Sequence, residues 1–340
     1  MTSARALRMA VAIMTTLVAA SSLETKAETA ASIDYKVVER PAAVPAEFAA
    51  PDGIGLRFLA IKTIDGFNVD AALWQPEGKA ASATTLVIGV HGSGDNFVKP
   101  PMGFMGRALA GKGYGVLAIN TRQNGERVNT DNFLEVRRDI EAAVYTARAL
   151  GYRSLVLYGH SLGNIQVQYY AANNWEPDIK AVLMTGMFGN LPWKSRNILV
   201  QNEENYRQLT EAAFNALRDG KTADVLPVKM FWITGQQVPL TGQHFLSYRH
   251  EATSTADGTY WIKRVPRPIL MVRDAGDAIV QAFEPYMLLG AATSPGSLVP
   301  SAKLVVLPNP KPPSPAAHYF VDNQQPLIDT VTAWLAEQKL

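Results

Sequence analysis

There is no cysteine anywhere in the 340 residues. That excludes a thiol nucleophile, a disulfide framework, cysteine-ligated zinc and thiol-linked lipid. Histidine is scarce as well, with five in the chain: His91, His160, His244, His250 and His318. Charge of one sign is also lacking, since 32 Lys+Arg stand against 30 Asp+Glu for a formal net charge of +2. Nucleic acid would find no strong electrostatic hold on such a chain. Charged residues make up 18% and apolar ones 47%, which excludes a disordered polymer and a highly charged coiled coil. Neither a glycine-rich phosphate loop nor a dinucleotide fingerprint occurs. What remains is a globular chain sized for one large domain or two modest ones. Its chemistry must use hydroxyls, carboxylates and imidazoles, with no cofactor and no metal called for.

The N-terminus reads as an address. Arg5 and Arg8 precede the apolar run Met9–Ala20, and no charge follows until Glu24. The run is short of the ~20 residues that a membrane span needs, but it suits the apolar region of a secretory signal. Small residues at 18–21 and at Ala27 offer cleavage sites, so residues 1–27 are expected to be a signal peptide and the protein periplasmic or secreted. The alternative is a buried N-terminal helix or an uncleaved anchor. Loss of Arg5 and Arg8 would leave the mature chain formally neutral. Residues 28–51, rich in Ala and Pro, read as a loosely held lead-in.

Beyond that point the pattern is regular. Leu56–Thr63 and Phe67–Trp74 read as strands of a hairpin around Asp65-Gly66. Short apolar strands then alternate with helices: Thr85–Val90, Gly115–Asn120, Ser154–Tyr158, Ile179–Thr185, Ile269–Arg273 and Lys303–Leu307. Such alternation predicts an α/β fold with a mostly parallel sheet covered by helices on both faces. The rhythm breaks over residues 187–265, which carry a helix over Glu203–Arg218 and many aromatics (Trp193, Phe231, Trp232, Phe245, Tyr248, Tyr260, Trp261). This stretch is expected to be a cap inserted between core segments 52–186 and 266–340. Its aromatics would either line an apolar acyl or aryl pocket or hold the cap to the sheet.

The end of strand Ser154–Tyr158 reads Gly159-His160-Ser161-Leu162-Gly163, and a helix pattern follows. A G-x-S-x-G between strand and helix needs a very tight turn, which presents the serine Oγ above the sheet. A nucleophilic serine needs an imidazole base and an acid to orient it, arriving here in the order Ser, Asp, His. His318 is the base by position: His91 and His160 come too early, and His244 and His250 fall in the insertion. Asp277 is preferred to Asp274 as the acid, because it stands on the turn beyond the strand; Asp274 is expected to brace that turn. The oxyanion donors would be the N–H groups of Leu162 and of Ser93 in His91-Gly92-Ser93-Gly94-Asp95-Asn96, with Gly94 as the alternative to Ser93. His91 and Asp95 read as loop scaffolding, with no third ligand to make a metal site. Arg122 would meet an anionic substrate group or a carboxylate of the cap.

These residues resemble an α/β-hydrolase over about 56–340. The resemblance rests on HGSGDN at 91–96, GYGVLAINTR at 113–122, GHSLG at 159–163, DAGDAIV at 274–280 and AAHYF at 316–320. The chain is also faintly similar to the branch containing siderophore-ester hydrolases, through Asn120-Thr121-Arg122 and residues 211–227. One departure stands out: Pro312-Pro313-Ser314-Pro315-Ala316-Ala317 lacks the glycine usual just before the base. The expectation is an exported serine hydrolase of small-molecule carboxylic esters, working through an acyl-enzyme. A thioesterase or amidase would use the same groups, and a silent binding protein would keep the fold alone. Ser161 excludes the carboxylate elbow of a dehalogenase, and the missing cysteine argues against a dienelactone-type hydrolase.

Overall fold

The computed structural model describes residues 34–200, 202–231 and 235–340, so the expected signal peptide (1–27) lies outside the described residues. In chain order the strands are β1 (Tyr35–Val38), β2 (Ile54–Lys62), β3 (Asn68–Pro76), β4 (Thr85–Val90), β5 (Gly115–Asn120), β6 (Ser154–His160), β7 (Ile179–Thr185), β8 (Met230–Phe231), β9 (Gln237–Val238), β10 (Ile269–Asp274) and β11 (Ala302–Leu307). The helices are α1 (Met102–Gly111), α2 (Val136–Ala149), α3 (Leu162–Asn173), α4 (Leu191–Lys194), α5 (Glu203–Arg218), α6 (Gly242–His244), α7 (Gly258–Ile262), α8 (Glu284–Ala292), α9 (Pro315–His318) and α10 (Gln324–Glu337).

Nine strands form one sheet in the order β1-β2-β3-β5-β4-β6-β7-β10-β11. Pairing is antiparallel from β1 to β5 and parallel from there to β11. The alternation of side chains explains the apolar strands. In β4, Leu86, Ile88 and Val90 enter one core with α2, α3 and α8, while Val87 enters the other with α1 and α10. Both faces are covered, so neither can be polar. The order reverses at β4 and β5, and the carboxyl ends of β4, β6, β7 and β10 share one edge, where open α/β sheets place their ligands.

Residues 34–51 are more ordered than a loose lead-in. β1 adds an antiparallel edge strand to β2, with Tyr35 opposite Ile61, and the Phe48 ring lies 5.2 Å from that of Trp74. Alternating side chains and one aromatic suffice to dock this segment. Helix α2 is preceded by a separate turn, in which Asn132 accepts from Leu134 N, and begins at Val136.

Residues 187–265 lie between β7 and β10, and the described ones among them add no strand to the main sheet. They hold a small core of their own, in which Tyr206, Leu209, Leu226, Met230, Leu240 and Phe245 are buried together. Among the described residues, no helix is long and apolar enough to cross a membrane.

Candidate active site

Between the last residue of β6 and the first of α3 stands a single residue, Ser161, with φ 52° and ψ −120°. A side chain in that backbone region costs of order 1–3 kcal/mol, so its surroundings must hold it. Ser161 N–H donates to Thr185 O (3.0 Å), and Asn164 Nδ2 donates to Ser161 O (2.9 Å) and Thr185 O (2.8 Å). The flanking glycines are there for space. A Cβ on Gly159 would stand 2.5 Å from Gly163 O, and one on Gly163 2.3 Å from Val90 O.

His318 ends α9, and its Nδ1–H donates to Asp277 Oδ2 at 2.8 Å, both side chains being buried. The other carboxylate oxygen of Asp277 accepts from Ile279 N (2.8 Å) and Val280 N (3.0 Å). Burial by itself would raise this carboxyl, but His318 and the two N–H groups outweigh it and hold Asp277 below its ordinary value. Asp274 braces the turn, as its position suggested. It accepts from Gly276 N (2.8 Å), Asn309 Nδ2 (3.0 Å) and Asn323 Nδ2 (2.8 Å). The missing glycine before His318 is replaced by local pairing. Ser314 N–H donates to Gly276 O (2.9 Å), the Ser314 side chain caps α9, and Asp277 and Ser314 form a parallel bridge. Base loop and acid turn are thereby docked to each other.

Ser161 and His318 open on one cavity of about 220 Å³. Ser93 and Asp95 line it from the loop after β4, Val128 and Asn129 from the loop after β5, and Ile279 from the acid turn. The insertion contributes Gln236 and Val238. Of the two candidates for the second oxyanion donor, Gly94 has its N–H engaged by Gln123 O (3.0 Å), whereas Ser93 faces the cavity. Leu162 begins α3, where the unpaired N–H groups and the helix dipole favour negative charge.

His91 is scaffolding. Its Nδ1–H donates to Gly92 O (2.6 Å), Nε2 accepts from Thr121 N (3.0 Å), and burial pushes the imidazole down to about 4. His160 bonds Thr185 Oγ1 through Nδ1 and packs 4.9 Å from the His318 ring; burial first, and the His318 charge second, keep it neutral. Arg122 does not line the cavity, and its ion-pair partners lie outside the insertion. Its buried guanidinium is held by buried Asp139 (2.8 Å) and, toward the surface, by Asp65 (3.1 Å) and Glu135 (3.3 Å). Among the described residues, the aromatics of the insertion do not line the cavity either. Phe245 and Tyr248 are buried in packing clusters, Trp261 packs edge-on against Tyr169, and Trp193 against Phe283. Trp232 lies outside the described residues.

Two features of the site escape a reading by motif. Gly186 follows β7 with φ +55°, and a Cβ there would come within 2.8 Å of His318 Cε1 and 3.0 Å of His160 Cε1. A glycine after a strand is the whole of its sequence signal. Asp95, expected to serve the loop, stands in the cavity wall.

A search of curated proteins finds no match. Solved structures give distant likenesses. Est1E from Butyrivibrio proteoclasticus, solved with ferulic acid, is 18% identical with a TM-score of 0.59, over 81% of this chain and 96% of its own. Hypothetical protein PA2218 from Pseudomonas aeruginosa is 15% identical with a TM-score of 0.61, over 88% and 100%. The Pyrococcus furiosus esterase PF2001 is 15% identical with a TM-score of 0.54, over 90% and 98%. At these identities the likeness is one of fold. The sheet with its elbow serine agrees with the family comparison, which matches residues 85–309 to the alpha/beta hydrolase fold, and the chain belongs to that family.

Proposed function

We propose that the protein hydrolyses carboxylic esters with Ser161 as nucleophile, His318 as base and Asp277 as orienting acid. The observation that carries this reading is the strained turn at Ser161 sharing a cavity with an imidazole whose Nδ1–H is fixed by a buried carboxylate. His318 Nε2 takes the Oγ proton as Oγ attacks the ester carbonyl, and the new oxyanion meets the N–H groups of Leu162 and Ser93. Collapse expels the alcohol, which receives the proton from His318, and leaves an acyl-serine. Water then attacks the acyl group with the same imidazole as base, and the carboxylic acid departs. Each oxyanion donor is worth ~3–4 kcal/mol in the transition state.

Support for an ester substrate comes from the family, from the structural relative PF2001, described as an esterase, and from Est1E, solved with ferulic acid. The basic, apolar and small-residue order of residues 1–27 supports export to the periplasm or medium. Ser161→Ala should abolish release of p-nitrophenol from short-chain p-nitrophenyl esters and labelling by a fluorophosphonate, while circular dichroism stays unchanged. Turnover retained in that variant would overturn the assignment.

A further inference from the structure

Asp95 has no part in the reaction proposed above, yet it is 6% exposed in the wall of the same cavity as Ser161 and His318. The gap between it and the nucleophile is the width of one glycine. A Cβ built on Gly92 would lie 3.0 Å from Asp95 Oδ2 and 2.9 Å from Ser161 Cβ. Tyr319, next in the chain to His318, lines the same cavity as Asp95. From the solvent side Lys99 Nζ approaches Oδ1 at 3.7 Å, a loose contact from a side chain that is 58% exposed. An ionised carboxylate has about four acceptor positions. One distant ammonium leaves acceptor capacity in a cavity whose other walls include Val128, Val238 and Ile279.

A buried acceptor beside the scissile bond selects by what it lacks. When a substrate displaces water from this cavity, the carboxylate either receives a donor or is left desolvated, and only the first keeps its hydrogen bonding intact. Burial raises the Asp95 carboxyl above its ordinary value, against the pull of the Lys99 and His318 charges. A substrate carboxylate would meet like charge there; a hydroxyl or ammonium group would find its complement. We infer that Asp95 determines specificity by accepting a hydrogen bond from a hydroxyl or ammonium group placed next to the scissile ester. This deepens the ester-hydrolase reading and rests on it.

Two matched pairs of esters test the inference and tell the acyl side from the alcohol side. The first pair is p-nitrophenyl 3-hydroxybutanoate against p-nitrophenyl butanoate, and the second is 2-aminoethyl butanoate against propyl butanoate. The wild-type enzyme should prefer the donor-bearing ester of one pair by about 10–100-fold in kcat/KM. Asp95→Ala should bring that ratio close to one. Asp95→Asn keeps the shape if the smaller residue impairs folding, and should lower the ratio most for the ammonium ester. A wild type without preference in either pair, or Asp95 variants that retain the preference, would overturn the inference while leaving ester hydrolysis standing. A wild type that cleaves none of the four esters would instead overturn the hydrolase reading, and this inference with it.

Discussion

Asp274 and Asp277 stand on one turn, and their partners give them different work. Asp277 holds the Nδ1–H of His318, whereas Asp274 gathers donors from Gly276, Asn309 and Asn323 and touches no reacting group. Amide replacements should therefore separate rate from stability. Asp277→Asn removes the acceptor that fixes the imidazole tautomer, so kcat should fall on the order of 10⁴-fold with little change in unfolding midpoint. Asp274→Asn turns an amide donor toward neighbouring donors, so stability should fall by roughly 1–3 kcal/mol with a smaller loss of rate. Steady-state kinetics and denaturant unfolding of both variants check this. The reverse pattern would exchange the two roles. Position in the sequence sufficed to name both residues because each follows a strand that its own composition reveals. Gly186 was illegible for the opposite reason: its glycine is required by His318 and His160, which other strands bring to it.

At the scale of elements, Arg122 shows how a local reading goes astray. The end of β5 does point toward the catalytic edge, and a lone arginine there suggests an anion. Its partners are supplied instead by the β2–β3 turn and by α2. Arg122 Nε and the second guanidinium nitrogen both bond Asp139 Oδ1, at 3.0 and 2.8 Å, and the backbone N–H bonds Asp139 Oδ2 at 2.8 Å. Asp65 accepts from the same guanidinium and from Arg138, and the cation lies 5.1 Å from the Phe67 ring centre. Hairpin turn, strand end and helix start are joined by one buried side chain. Asp139 is wholly buried, so removing its cation would strand a charge. Arg122→Ala should cost about 3–5 kcal/mol in chemical unfolding. The ratio of rates on anionic and neutral esters should not change; a shift in that ratio would return Arg122 to the substrate. The strands and the serine elbow were legible because short apolar runs and a glycine-spaced turn are set by near neighbours. The cavity wall was not legible, because Gln236, Val238 and Asn129 meet only after the insertion has folded onto the sheet.

Across the whole molecule, the seam between insertion and sheet is polar and buried. Lys194 of α4 bonds Glu284 of α8 at 2.6 Å and the carbonyl of Ile279 at 2.9 Å, tying the insertion to the acid turn. Farther along, Asp131 from the loop after β5 accepts from Tyr248 Oη at 3.0 Å and faces His244 Nδ1 at 3.5 Å, while Arg249 reaches His244 and Asn129. Burial, with the charge of Asp139 adding to it, raises the Asp131 carboxyl to about 8 against the bonds that would lower it. His244 is kept neutral by burial and by the Arg249 charge, so it offers Asp131 no cation.

A raised carboxyl keeps a proton in the folded state that the unfolded chain has released. Its contribution to stability is whole below 3.8 and is lost as pH rises toward about 8. The buried imidazoles act in the other direction. His91, His160 and His244 are all lowered, so the unfolded chain binds protons that the folded one refuses, and stability falls as pH drops below about 6.5. Between pH 6.5 and 8 the histidines are neutral in both states for the most part, and Asp131 supplies a slope of up to about −1.4 kcal/mol per pH unit. Asp131→Asn keeps an acceptor for Tyr248 and removes the titration. Denaturant unfolding at pH 6.5 and pH 8 should show the wild type losing more stability across this interval than the variant. An equal loss in both proteins would place the slope elsewhere and leave the seam insensitive to pH.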